Sequence, residues 1–116
     1  MTTLTQDISQ YETVRQWARG LAEQWGEDID MRPRQEALVA FVSFVDKDPD
    51  TIIAECTREV ESGKRIRIKA RREYSAKIEE FQATVEGDAR KQSKTANYVR
   101  SFFIHNGIFM QAGVAG

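Results

Sequence analysis

The sequence predicts an all-α fold, a compact bundle of about five helices. Three observations carry this expectation. Apolar residues recur at intervals of three and four along most of the chain. Both prolines stand where a helical pattern is about to begin. No segment alternates apolar and polar residues cleanly enough to suggest a half-buried strand.

The elements follow in order. Across Ser9–Trp25 the residues Tyr11, Val14, Trp17, Ala18, Leu21 and Trp25 fall on one helical face, and "GEDID" interrupts the pattern. A second helix begins near Pro33 and carries Leu38, Phe41, Val42 and Val45 inward until "DKDPD". Asp48 followed by Pro49 is a start signal, an acceptor for free amides and then a residue with no amide proton to satisfy. Ile52, Ile53, Cys56 and Val60 line the third helix, with Gly63 as its C-cap. Ile66, Ala70, Tyr74, Ile78, Phe81 and Val85 mark a long fourth helix, which "EGDAR" ends. The fifth starts around Lys91–Lys94 and turns Ala96, Val99, Phe102 and Phe103 inward. Asn106-Gly107 closes it, with Ile108 placed for a capping contact.

A length of 116 residues suits a single domain, and 41% hydrophobic with 30% charged residues suits a globular one. No run approaches the length of a membrane span, so no membrane partner is expected. The opening "MTTLTQDISQ" has no apolar leader core, and one cysteine forms no internal disulfide, which together predict a cytoplasmic protein. The apolar tail "IFMQAGVAG" reads as an interrupted connection, so the chain is expected to be part of a longer protein.

Few residue patterns suit catalysis. His105 is the single histidine and is expected at a helix C-terminus, where the dipole favours it. Cys56 lies on an apolar stripe and reads as a small core residue. Trp17 and Trp25 read as core. Phosphate-loop, nucleophile-elbow and zinc-protease patterns are absent, and neither a metal nor any other cofactor is expected.

Charge is the informative feature. The stretch "GKRIRIKARREYSAK", residues 63–77, holds seven Lys/Arg and one Glu in a chain of formal net charge −1. On a helix with Tyr74 inward, Arg65, Lys69 and Arg72 lie within about 40° of directly outward, Lys64 and Arg71 on one flank and Lys77 on the other. A helix built for solubility interleaves Glu with its cations, and this one does not, so it is set to meet an anion such as phosphate. A second basic group, "ARKQSKTANYVR", places Arg90, Lys91, Ser93, Lys94 and Thr95 at a helix N-terminus, suited to clamping phosphate. Asn97 and Arg100 lie three apart, toward a groove. Ser93 or Thr95 also suits a plain N-cap.

"FVSFVDKDPDTIIAE", the basic helix and then "KQSKTANYVRSFFIHNGI" together resemble the core-binding domain of tyrosine recombinases (phage integrases), in particular their archaeal integrase-like branch. The matching features are Phe41/Phe44, Asp48-Pro49-Asp50, Ser93/Thr95, Tyr98 and Arg100-Ser101-Phe102-Phe103, within residues 11–112. The resemblance implies a SAM-like helical half-clamp on double-stranded DNA, in contact with other recombinase protomers, whose catalytic residues belong to a following domain. It implies no catalysis by this chain, so Tyr11, Tyr74 and Tyr98 are not nucleophiles. Where the family opens its first DNA-facing helix with Ser-x-x-Thr, this chain has Arg32 and Arg34, which imply guanidinium contacts to phosphate instead. The alternative is a helical protein-interaction module whose basic face meets an acidic partner.

Overall fold

A computed structural model describes residues 6–110. A short 3₁₀ turn, Ile8–Gln10, leads into five α-helices: α1 (Glu12–Trp25), α2 (Arg32–Val45), α3 (Pro49–Glu55), α4 (Ile68–Thr84) and α5 (Ala89–His105). The fold is helical but not all-α. Between α3 and α4 stand two strands, β1 (Thr57–Val60) and β2 (Gly63–Ile66), paired antiparallel.

This hairpin corrects the expectation that the third helix runs on to Gly63 and that Ile66 opens the apolar stripe of the fourth. α3 stops at Glu55, and the Thr57 hydroxyl donates to the Ile53 carbonyl at 3.2 Å, occupying one of the acceptors a helix leaves open. Thr57 and Val60 are β-branched, and Glu61-Ser62 leaves a two-residue loop before Gly63, whose φ of 130° suits a residue without Cβ. Ile66 is 38% exposed, so its helical spacing from Ala70 is coincidental.

The other signals are realised closely. The Asp48 carboxylate accepts from the Thr51 amide at 2.7 Å, with Pro49 in the first turn of α3. At the end of α5, Gly107 (φ 86°) donates to the Ile104 carbonyl at 3.0 Å and Ile108 to the Phe103 carbonyl at 2.9 Å. These two bonds satisfy helix-end acceptors and bury Ile108 beside Phe103. α5 begins earlier than expected. The Asp88 carboxylate caps it by accepting from the Lys91 amide at 2.9 Å, so neither Ser93 nor Thr95 is the cap.

α5 is the centre of the bundle, packed on α1, α2 and α4. Its Phe102 meets Trp17 edge-on at 5.5 Å between ring centroids. Phe103 meets Phe41, Tyr74 and Phe102 at 6.2, 5.7 and 5.6 Å. Trp17 is fully buried and donates its indole N–H to Ser101 Oγ at 3.0 Å. α5 crosses α1 closely, because Gly20 leaves room for the His105 ring: a Cβ there would stand 2.4 Å from His105 Cδ2. α1 continues past that crossing, and its last residue, Trp25, is 66% exposed rather than in the core.

Candidate nucleic-acid interface

The basic residues singled out in the sequence do not form one surface. α4 and α5 are consecutive and joined by a short turn, Gln92 Nε2 donating across it to the Val85 carbonyl at 3.0 Å. At the other end of the pair Arg71 donates to the Phe109 carbonyl at 3.3 Å, and Tyr74 packs on Phe103. The helices are therefore antiparallel. The start of α4 and the start of α5 lie at opposite ends of a 17-residue helix, about 25 Å long. Lys64, Arg65, Lys69, Arg71 and Arg72 are at one end, and Arg90, Lys91, Ser93, Lys94, Thr95 and Asn97 at the other.

At the α5 end two helices contribute. Arg34 of α2 lays its guanidinium over the Tyr98 ring, 4.9 Å from the centroid, and donates to the Asp30 carbonyl at 2.7 Å. Lys94 approaches the same ring, Nζ at 6.0 Å from the centroid. Arg90, Ser93, Lys94, Asn97 and Tyr98 line a shallow depression of about 520 Å³. It shares Lys94 and Tyr98 with a larger groove of about 800 Å³ between α2, α4 and α5, floored by apolar residues that include Ala37, Phe44 and Phe81 and edged by Lys91 and Thr95. Arg90 and Lys91 are in the first turn of α5, whose dipole and Lys91 amide already meet the Asp88 carboxylate, and Ser93 and Thr95 lie beyond that turn, so the expected phosphate clamp at the helix start is not what these residues form. Arg32 is exposed at the first position of α2.

Arg100 departs from its expected place toward a groove. Only 4% of it is exposed, and its Nη1 donates to Asn97 Oδ1 at 2.8 Å within the packing of α5. Burial pulls its pKa below the ordinary guanidinium value, while the Glu79 charge works in the opposite direction. Methionine is shorter but of similar volume, and carries no charge. Arg100→Met is expected to leave duplex affinity within about twofold and thermal stability equal or raised, because a buried charge is expensive to desolvate. A tenfold loss of affinity with the melting temperature intact is the opposite result.

At the α4 end the geometry differs from the expected helix face. Lys64 and Arg65 are on β2, and only Lys69, Arg71, Arg72 and Lys77 are on α4. Lys77 pairs with Glu80 at 3.5 Å on the surface. Among the described residues no ion pair engages Lys64, Arg65, Lys69, Arg71 or Arg72, nor any Lys or Arg at the α5 end. The sequence reading missed Arg58, which β1 places directly opposite Arg65. The only local signal is the β-branched Thr57 and Val60 before a two-residue loop and a glycine, since "TREV" has no apolar alternation.

The remaining reactive groups are occupied or buried. Cys56 is fully buried, its thiol pushed up to about 11, first by desolvation and then by the neighbouring Glu55 charge. Tyr74 donates to Glu55, and its phenol is raised well above the ordinary range by burial and by that bond. His105 Nδ1 lies 3.0 Å from the Ser101 carbonyl at the end of α5. No group of three or more His, Cys, Asp and Glu among the described residues is placed to hold a metal ion, and no helix there is long and apolar enough to cross a membrane.

No protein-family model, curated protein or solved structure matches the chain.

Proposed function

We propose that the chain binds double-stranded DNA as a SAM-like, core-binding half-clamp of a tyrosine recombinase, with strand exchange carried out by a separate catalytic domain. The observation that carries this reading is the convergence of Arg34, Arg90 and Lys94 around Tyr98 from two helices, with no acidic side chain paired to them among the described residues. Planar guanidinium and mobile ammonium groups beside Ser93 and Asn97 offer donors to phosphate oxygens from several directions. The order of sequence features shared with the recombinase family supports the choice of parent protein.

If about five phosphates are neutralised, log affinity falls with log salt at a slope near −4.5. Fluorescence anisotropy with a mixed-sequence duplex at several salt concentrations measures this. Binding that ignores salt, or no binding at low salt, defeats the proposal. A second reading is a protein-interaction module whose basic face meets an acidic partner: the groove beside Lys91 and Lys94 supplies an apolar floor for an amphipathic segment, although Glu36 and Glu86 also line it. An acidic protein that binds the chain when no duplex binds at low salt would support that reading; because the groove shares Lys94 and Tyr98 with the DNA surface, the two ligands would compete.

A further inference from the structure

The β1–β2 hairpin has no evident structural purpose in the bundle. A two-stranded hairpin is marginal alone, and this one is held mainly at its base, where the Arg67 amide donates to the Cys56 carbonyl at 2.7 Å. Every residue from Glu61 to Lys69 is exposed. Its two faces differ in charge. Register pairs Thr57 with Ile66 and Glu59 with Lys64 on one face, where the opposite charges balance. On the other face Arg58 stands directly opposite Arg65, and Val60 opposite Gly63. Side chains directly across an antiparallel pair are about 5 Å apart, where like charges repel. No acidic side chain is paired with either arginine among the described residues. Gly63 adds no side chain to this face, and a Cβ built there meets nothing within 4 Å, so the tip is unobstructed.

We infer that this hairpin enters the major groove of duplex DNA with its Arg58–Arg65 face toward the bases. The inference rests on the DNA-binding reading above and adds a contact element at the opposite end of the α4–α5 pair. Size, charge and chemistry agree. A ladder of four residue pairs is roughly 13 Å long and two strands are about 5 Å apart, while the major groove is about 12 Å wide and admits a two-stranded ribbon. DNA supplies the anion that two facing arginines require, and an arginine in that groove has the guanine O6 and N7 acceptors to bind in pairs. Lys69 and Arg72, exposed on the first turns of α4, are positioned beside the hairpin base for the flanking phosphates.

The test compares two variants on two duplexes. Arg58→Ala with Arg65→Ala strips the charged face, and Ile66→Thr alters the other face without changing net charge. The second duplex carries glucosylated 5-hydroxymethylcytosine, whose bulk fills the major groove and leaves the phosphates free. On plain duplex the arginine variant is expected to bind roughly 10- to 100-fold more weakly, and the Ile66 variant within about twofold of the native chain. The native chain is expected to bind the filled duplex at least about tenfold more weakly than the plain one, a discrimination the arginine variant loses. All three positions are exposed, so melting temperatures report that each variant is folded. If the native chain binds plain duplex but removing the arginines leaves affinity unchanged, or filling the groove leaves it unchanged, the hairpin inference is overturned while DNA binding stands. If the native chain binds no duplex at low salt, the DNA reading itself fails and takes this one with it.

Discussion

Phe103→Ala is expected to remove about 4 kcal/mol of stability and to lower the melting temperature by about 15 °C. Phe103 is fully buried and touches the rings of Phe41, Tyr74 and Phe102, so it joins α2, α4 and α5 at one point. Removing the ring forfeits its transfer free energy and leaves a cavity lined by other rings, which cannot close without moving three helices. A domain of this length has only about 6–17 kcal/mol of stability to lose. The neighbouring Ile104, 45% exposed, is the control: its replacement by alanine should change stability by no more than about 0.5 kcal/mol. Urea unfolding measures both. A loss below about 1.5 kcal/mol at Phe103 would mean that α5 is not the central helix of the bundle.

How much of this was legible beforehand differs between core and surface. Phe41, Phe81, Phe102 and Phe103 were readable because burial selects by spacing, and spacing is written in the chain. The caps at Asp48 and Gly107 were readable because each is a local geometry that few residue types satisfy. The hairpin was not readable from the same rules. Its strands of four residues bury neither face, so "TREV" and "GKRI" lack the apolar alternation that marks a strand, and Val60 and Ile66 happen to stand at helical intervals from their neighbours. Arg100 deceived for a related reason. Helical spacing places it near Asn97, but only packing against the other helices decides whether a position is covered, and 4% of Arg100 remains in solvent. The sequence showed which residues were basic, while the antiparallel return of α5 along α4 divided them into two groups.

That division makes the second large effect separable. Arg34→Ala with Lys94→Ala is expected to weaken duplex binding about 10- to 100-fold and to flatten the salt slope by about 2, since each phosphate contact contributes about 0.9 to it. The substitution also removes the stacking on Tyr98 and the bond to the Asp30 carbonyl, together worth about 1–2 kcal/mol, so affinity is measured well below the melting temperature. Lys94→Arg retains the charge and the reach and should bind normally. Arg34→Lys keeps the charge but loses the flat guanidinium, and is expected to fall between the native chain and the double variant. If Arg34→Lys binds as weakly as Arg34→Ala, the planar stack on Tyr98 matters more than the charge, and the ring belongs to the contact surface itself. The two basic ends are about 25 Å apart, roughly seven base pairs of duplex. Losses from Arg34/Lys94 and from Arg58/Arg65 should therefore add as independent free energies. Strong non-additivity would mean that both ends close on the same few phosphates, which the rigid α4–α5 pair does not permit.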